Sequence, residues 1–166
     1  IWAWNDLNQQ STTASFGWRR YYHAIYITNY IIENQTKITE ATQDEISQLV
    51  GEAYMMRAYC HFLLVNLYAD AYTHCNPATT RGIPLSLEAN VNNVLTCSSV
   101  EQVYQQVIAD IKEAKSRLKV AAWDEGYTYR FNQISADALL ARVYLYKGDW
   151  QDALAEAKVV MEKHGD

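Results

Sequence analysis

Two prolines and six glycines in 166 residues are too few turn-formers for a chain of many short strands. Three cysteines leave one thiol over in any disulfide scheme. No apolar run approaches bilayer length, so no segment reads as a membrane-spanning helix. Fourteen basic residues stand against nineteen acidic ones, a formal net charge of −5, and no Lys/Arg cluster offsets it. Nucleic acid is therefore not expected as a partner. Equally missing are a Ser/His/Asp order, a phosphate-binding glycine loop and carboxylates paired in a pocket-like context. His74, Cys75 and Cys97 lack zinc-ligand spacing and a fourth ligand. No catalytic residue, metal or cofactor is expected.

What the chain does have is 49% hydrophobic residues, thirteen tyrosines and five tryptophans, enough to bury one sizeable core as a single domain over 1–166. Such an aromatic surplus either fills interhelical gaps or lines a stacking surface. Ile46, Leu49, Val50, Ala53, Met56, Cys60, Leu63, Leu64 and Leu67 recur at three-and-four spacing, which predicts an amphipathic helix from Gln43 to about Tyr68. Thr42-Gln-Asp-Glu45 reads as its capping box. The other helices are expected to shelter their apolar stripes against this long one. Within it, Glu52 and Arg57 are five apart, so they make no ideal pair on one helix face. Arg57 adjoins the apolar stripe and needs a carboxylate or carbonyl partner there. It either ties the helix to a neighbour or clamps an anion. His61 and Asp70 are available on and after this helix but compose no reaction.

Four further helices, with an excursion and a loop between them, complete the chain. Trp18, Tyr21, Tyr22, Ile25, Thr28, Asn29 and Ile32 form one stripe of a helix running to Glu33. Asn76-Pro77, Gly82 and Pro84 punctuate a non-helical excursion over 71–98. Ser98-Ser-Val-Glu101 reads as a capping box opening a helix with Val100, Val103, Tyr104, Val107, Ile108, Ile111, Ala114 and Leu118 on one face. Asp110, Lys112, Glu113, Lys115, Arg117 and Lys119 are assigned to its solvated side. After a loop over 119–132, Asn132 or Ser135 caps a helix to about Lys147, with Gly148 at the left-handed C′ position. Asp149 is expected to cap a last helix towards His164.

Leu140, Ala141, Tyr144, Gly148, Asp149, Ala153 and Ala157 fit the tetratricopeptide helix-turn-helix repeat, with small Ala141 and Ala153 at the close-packing positions. A lone repeat cannot bury its own face, so it must stack on the long helix or its neighbours. Cys60 lies on the apolar stripe as a small core residue. Cys75 and Cys97 either bridge in an oxidising compartment or stay free. Trp2 and Trp4 would share one side of an extended strand beside Asn5. They either stack on a sugar ring whose hydroxyls the amide binds, or plug the core.

Several of these segments resemble the SusD/RagB family, outer-membrane nutrient-binding lipoproteins of Bacteroidetes. The resemblance rests on Gly51-Glu52-Ala53, Arg57-Ala58-Tyr59, Phe62, Leu64, Tyr68 and Asp70 in the long helix, and on the Trp–Tyr–Ala–Ile–Asn–Ile succession of the first. Arg81-Gly-Ile-Pro-Leu85, Ser99-Val-Glu-Gln-Val-Tyr104 through Asp110-Ile-Lys-Glu-Ala114, and Leu139-Leu-Ala-Arg-Val-Tyr-Leu-Tyr146 with Gly148-Asp-Trp150 follow in the family's order. It implies an all-α fold: tetratricopeptide-like helical hairpins packed on one long central helix, the N-terminal half of such a protein. It also implies non-catalytic capture of a glycan or other nutrient at the cell surface and delivery to a TonB-dependent, SusC-like outer-membrane transporter. Because family members are several times longer, the chain is expected to be a fragment, with membrane attachment only through a lipid anchor outside it. Ligand candidates are Trp2, Trp4 and Asn5, then Trp123 and Tyr127; Glu52, Arg57, Ala141, Tyr144 and Ala153 are assigned structural roles. The competing reading is a general tetratricopeptide-type scaffold that binds a peptide in its groove.

Overall fold

The computed structural model describes residues 17–164. Helix α1 covers Trp18–Glu33, α2 Gln43–Tyr68, α3 Val100–Arg117, α4 Gln133–Lys147 and α5 Trp150–His164. Strands β1 (Arg81–Pro84) and β2 (Cys97–Ser99) pair antiparallel in the excursion between α2 and α3. The architecture is all-α, with one short ribbon.

Thr42 and Glu45 close a reciprocal cap at the start of α2, satisfying amides that have no intrahelical partner. At α3 the cap sits one residue later than the sequence suggests. Ser99, the last residue of β2, accepts from the Gln102 amide, and Gln102 reaches back to Ser99. Asn132 caps α4 through Ser135. Gly148 ends it in the left-handed region at φ 86°, which glycine adopts without steric cost. The Asp149 carboxylate accepts from Lys147 Nζ at 2.7 Å.

Helix α2 lies between α1 and α3; α4 packs on α3, and α5 on α4. The tetratricopeptide-like hairpin α4–α5 therefore stacks chiefly on α3 rather than directly on the long helix. Flanked on two sides, α2 buries far more than one stripe. Met55, Ala58, His61, Phe62 and Val65 are buried along with Val50, Ala53, Cys60 and Leu64, whereas Leu49, Met56 and Leu67 face outward. The narrow stripe of the sequence reading is thus corrected to a broad one. The core continues through Ile25 of α1, Val103, Tyr104, Val107 and Ile111 of α3, and Leu140 and Val143 of α4. Gly51 permits the close approach of the α3 C-terminus, since a Cβ there would lie 3.1 Å from the Leu118 side chain. Part of the aromatic surplus fills interhelical gaps, as where Phe62 meets Tyr104 edge-on at 6.0 Å.

Polar keys cross this core. Arg57 Nε and Nη2 donate to the two carboxylate oxygens of Asp110 at 2.8 and 2.6 Å, and Nη1 donates to Asn29 Oδ1 at 2.9 Å. One buried guanidinium thereby joins α1, α2 and α3. Asp110, placed on the solvated face by charge pattern, is 2% exposed. The correction has a plain cause: a buried arginine needs a buried carboxylate. Lys115, assigned to the same face, reaches Asp137 of α4 at 2.7 Å and Glu156 of α5 at 2.9 Å. Ala153 is buried and Ala141 half-buried where α4 and α5 meet, and the Tyr144 carbonyl accepts from the Asp149 amide at 3.0 Å. Cys60, Cys75 and Cys97 are all free thiols, so the possible Cys75–Cys97 bridge is not formed.

Candidate functional site

Residues 119–132 join α3 to α4 with no helix or strand of their own, yet α2 holds the segment at several points. Gln48 Oε1 accepts from the amides of Lys119 and Val120 at 2.7 and 3.0 Å, and its Nε2 donates to the Phe131 carbonyl at 3.2 Å. One turn further along, Glu52 receives Arg130 in a two-pronged ion pair at 2.7 and 3.1 Å. Gln48 Nε2 also donates to Glu52 Oε1 at 2.9 Å, so the two α2 side chains act together. Gln133 of α4 closes the far end, its side chain donating to the Leu118 carbonyl at 2.9 Å.

On this frame stands a row of rings. The Trp123 indole N–H donates to the Phe131 carbonyl at 2.9 Å, and the Arg130 guanidinium lies 4.0 Å from the centre of its ring, a cation–π contact. Trp123 to Tyr127 measures 6.2 Å between centroids, and Tyr127 to Tyr129 6.5 Å, at interplanar angles of 45° and 40°. Tyr127 is 52% exposed and Tyr129 78%. Backbone bonds from Tyr127 N to the Asp124 carbonyl and from Arg130 N to the Tyr127 carbonyl shape the turn that presents them.

The structure brings together Trp123, Tyr127 and Glu52, and separates them from Arg57, which sits in the buried key between α1 and α3. Trp123 is half-buried, with its N–H engaged and its ring against Arg130, so open stacking area belongs chiefly to Tyr127 and Tyr129. Tyr129 is not singled out as a candidate from the sequence, although the Tyr-Thr-Tyr spacing over 127–129 was a signal. Arg130 was missed because its partner Glu52 lies 78 residues earlier. Trp2, Trp4 and Asn5 lie outside the described residues. Chemically, the loop offers flat apolar faces edged by hydroxyls, a surface suited to stacking on a sugar ring. Glu52, with both oxygens on Arg130, is engaged as an anchor. No group of three or more His, Cys, Asp or Glu side chains among the described residues is placed to hold a metal.

A scaffold of helical hairpins with an aromatic loop braced on its longest helix defines a class, and comparison with known proteins gives the family. The profile of a SusD-like family described as "starch-binding associating with outer membrane" matches residues 1–145; the chain belongs to this SusD-like family. It is 31% identical over 153 residues to SusD-like protein P38 of Formosa agariphila, covering 90% of this chain and 26% of that protein. A crystal structure of a SusD superfamily protein from Bacteroides thetaiotaomicron superposes with a TM-score of 0.81 at 30% identity, over 89% of this chain and 32% of that one. A laminarin-binding SusD-like protein superposes with a TM-score of 0.74 at 26% identity, over 87% of this chain and 29% of its own. The chain thus spans about a quarter of the length of the curated relative it matches.

Proposed function

We propose that this chain is part of a glycan-binding protein of the SusD type, which captures its ligand without catalysis at the outer membrane. In the whole protein a lipid anchor outside this chain holds it there, and the ligand passes to a TonB-dependent, SusC-like transporter. The observation that carries the binding reading is the exposed Tyr127–Tyr129 pair beside Trp123, braced through Arg130 on Glu52. The non-catalytic reading is supported by the engagement of Glu52 with Arg130, which commits the nearest partly buried carboxylate to a structural bond. Family membership and the laminarin-binding relative support a carbohydrate as the ligand. Trp2, Trp4 and Asn5 remain proposed as further contacts.

Laminarin in a native gel tests this. The wild-type chain should be retarded, and Tyr127→Ala with Tyr129→Ala should lose most of the retardation at unchanged helix content. Two ring faces at about 1 kcal/mol each correspond to a roughly thirtyfold weaker interaction. Trp2→Ala with Trp4→Ala, run alongside, assigns any remainder. Retardation that survives in both double variants rejects these residues as the binding surface. A general peptide-binding scaffold is the second reading, favoured by the exposed apolar Leu145, Tyr146, Trp150 and Leu154 of α4 and α5. It predicts no retardation of the wild-type chain by any polysaccharide.

A further inference from the structure

A second concavity lies on the other flank of α2, between the N-terminal half of α1 and the loop over 85–96. It is an open groove of about 520 Å³, within the range of about 300–1,000 Å³ common to small-ligand sites. Arg19 and His23, one helical turn apart, and Tyr22 and Tyr26, also one turn apart, line it from α1. Asn90 and Asn93 line it from the loop.

The start of the loop is fixed. Tyr22 Oη donates to the Pro84 carbonyl at 2.6 Å, and Asn29 Nδ2 donates to the carbonyls of Ser86 and Glu88, each at 3.1 Å. The Ala89 amide donates to Glu33 Oε1 at 2.8 Å. Asn29 is in turn held by Arg57, so the start of this loop rests on the buried key of the fold.

The concavity's α1 wall is basic, although the facing loop carries an acid, the exposed Glu88. Although the net charge is −5, the first turn of α1 has no acidic residue. The acid on this helix, Glu33, lies fourteen positions beyond Arg19, about 21 Å along the axis, and already accepts from Ala89. Among the described residues neither Arg19 nor Arg20 joins an ion pair. A neighbouring hollow of about 350 Å³ is lined by Arg19, Arg20 and His23, so the basic surface continues past the rim.

From this we infer that the α1 concavity binds an acidic saccharide, with Arg19 taking a carboxylate or sulfate carried on the sugar. A guanidinium fork matches either oxyanion in two-pronged geometry. Tyr26 supplies a face for the pyranose ring, and the amides of Asn90 and Asn93 serve its hydroxyls. An isolated inorganic anion would use Arg19 alone and leave the tyrosines and amides without a role. The inference rests on reading the chain as a glycan binder but uses a different surface, so the two can fail separately.

Calorimetric titration of the chain with trigalacturonate, with a sulfated disaccharide and with sodium sulfate separates the outcomes. Binding of at least one acidic sugar, and at least tenfold weaker binding of sodium sulfate, is expected. Arg19→Gln should weaken the acidic sugar at least tenfold, Arg19→Lys should restore part of the loss, and Tyr26→Ala should weaken it too. Laminarin retardation should not change in any of these variants, which also shows that they fold. Acidic-sugar affinity that is absent in the wild type, unchanged in Arg19→Gln, or matched by sodium sulfate overturns the inference. Loss of laminarin retardation in the Tyr127→Ala, Tyr129→Ala chain bears on the aromatic loop instead.

Discussion

Replacing Arg57 by Met should cost about 3–5 kcal/mol of stability, the usual consequence of removing one member of a buried ion pair. The guanidinium is 6% exposed and Asp110 2%, so neither charge can turn to water when its partner disappears. Three bonds from Arg57 go at once: two to Asp110 and one to Asn29. Gln106 Nε2 still donates to Asp110 Oδ1 at 2.9 Å, but a neutral amide does not neutralise a carboxylate in the core. The cost is mainly that of an unpaired buried charge rather than the worth of the pair. Arg57→Met with Asp110→Leu should therefore recover much of the loss. Urea unfolding of the three chains reads this directly. A single variant within about 1 kcal/mol of wild type, or a double variant no better than the single, contradicts the assignment of this triad as the key between the first three helices.

Mild acid should weaken the fold through His61. Its ring is fully buried, with Nε2 accepting from the Ser86 amide at 3.5 Å. Burial first, and then the positive charge of Arg57, push its pKa down to about 3. The unfolded chain takes up a proton below the ordinary histidine value of about 6.5, while the folded chain refuses it until about pH 3. The unfolded state thus binds more protons across that interval, and stability falls as pH drops through it. Between pH 7 and pH 5 the loss should be about 2 kcal/mol, with the slope ending near pH 3. Glu45 and Asp137 are also held below their usual carboxyl range, Glu45 through bonds to Thr42 and Asp137, against its burial, through Lys115 and Lys163. Their contributions disappear only below about pH 4, so the interval from 7 to 5 isolates the histidine. Urea midpoints at those two pH values should converge in His61→Gln and separate in wild type. Equal slopes in both chains would remove His61 from the explanation.

Helix placement was legible because an apolar period marks each segment and side-chain caps mark the starts of α2, α3 and α4. Trp18–Glu33 and Gln43–Tyr68 come out with the bounds that the apolar spacing and Thr42-x-x-Glu45 predict. The buried face of α2 was less so. Periodicity finds the strongest stripe, but a helix covered by α1 on one side and α3 on the other also buries Met55, Ala58 and Phe62, which lie off it. Charge pattern misplaced Asp110, since an acid among lysines reads as solvated unless a buried arginine is known to face it. That Arg57 needs a partner is visible in the chain; which carboxylate supplies it is a fact of tertiary structure. The aromatic loop shows the same boundary. Its rings stand out by composition, but their order and exposure depend on Gln48 and Glu52 gripping a segment some 70–80 residues away. No local signal records such a pairing.

Whether α2 serves as both the axis of packing and the brace of the aromatic loop is tested by Glu52→Ala in the laminarin gel. The substitution removes both prongs from Arg130, while Tyr127 and Tyr129 stay in the chain. Retardation should fall several-fold with helix content unchanged, because a loop left with only its Gln48 and Gln133 bonds must be further ordered at the ligand's expense. Retardation equal to wild type would mean that the loop holds its shape, or binds nothing, without the long helix.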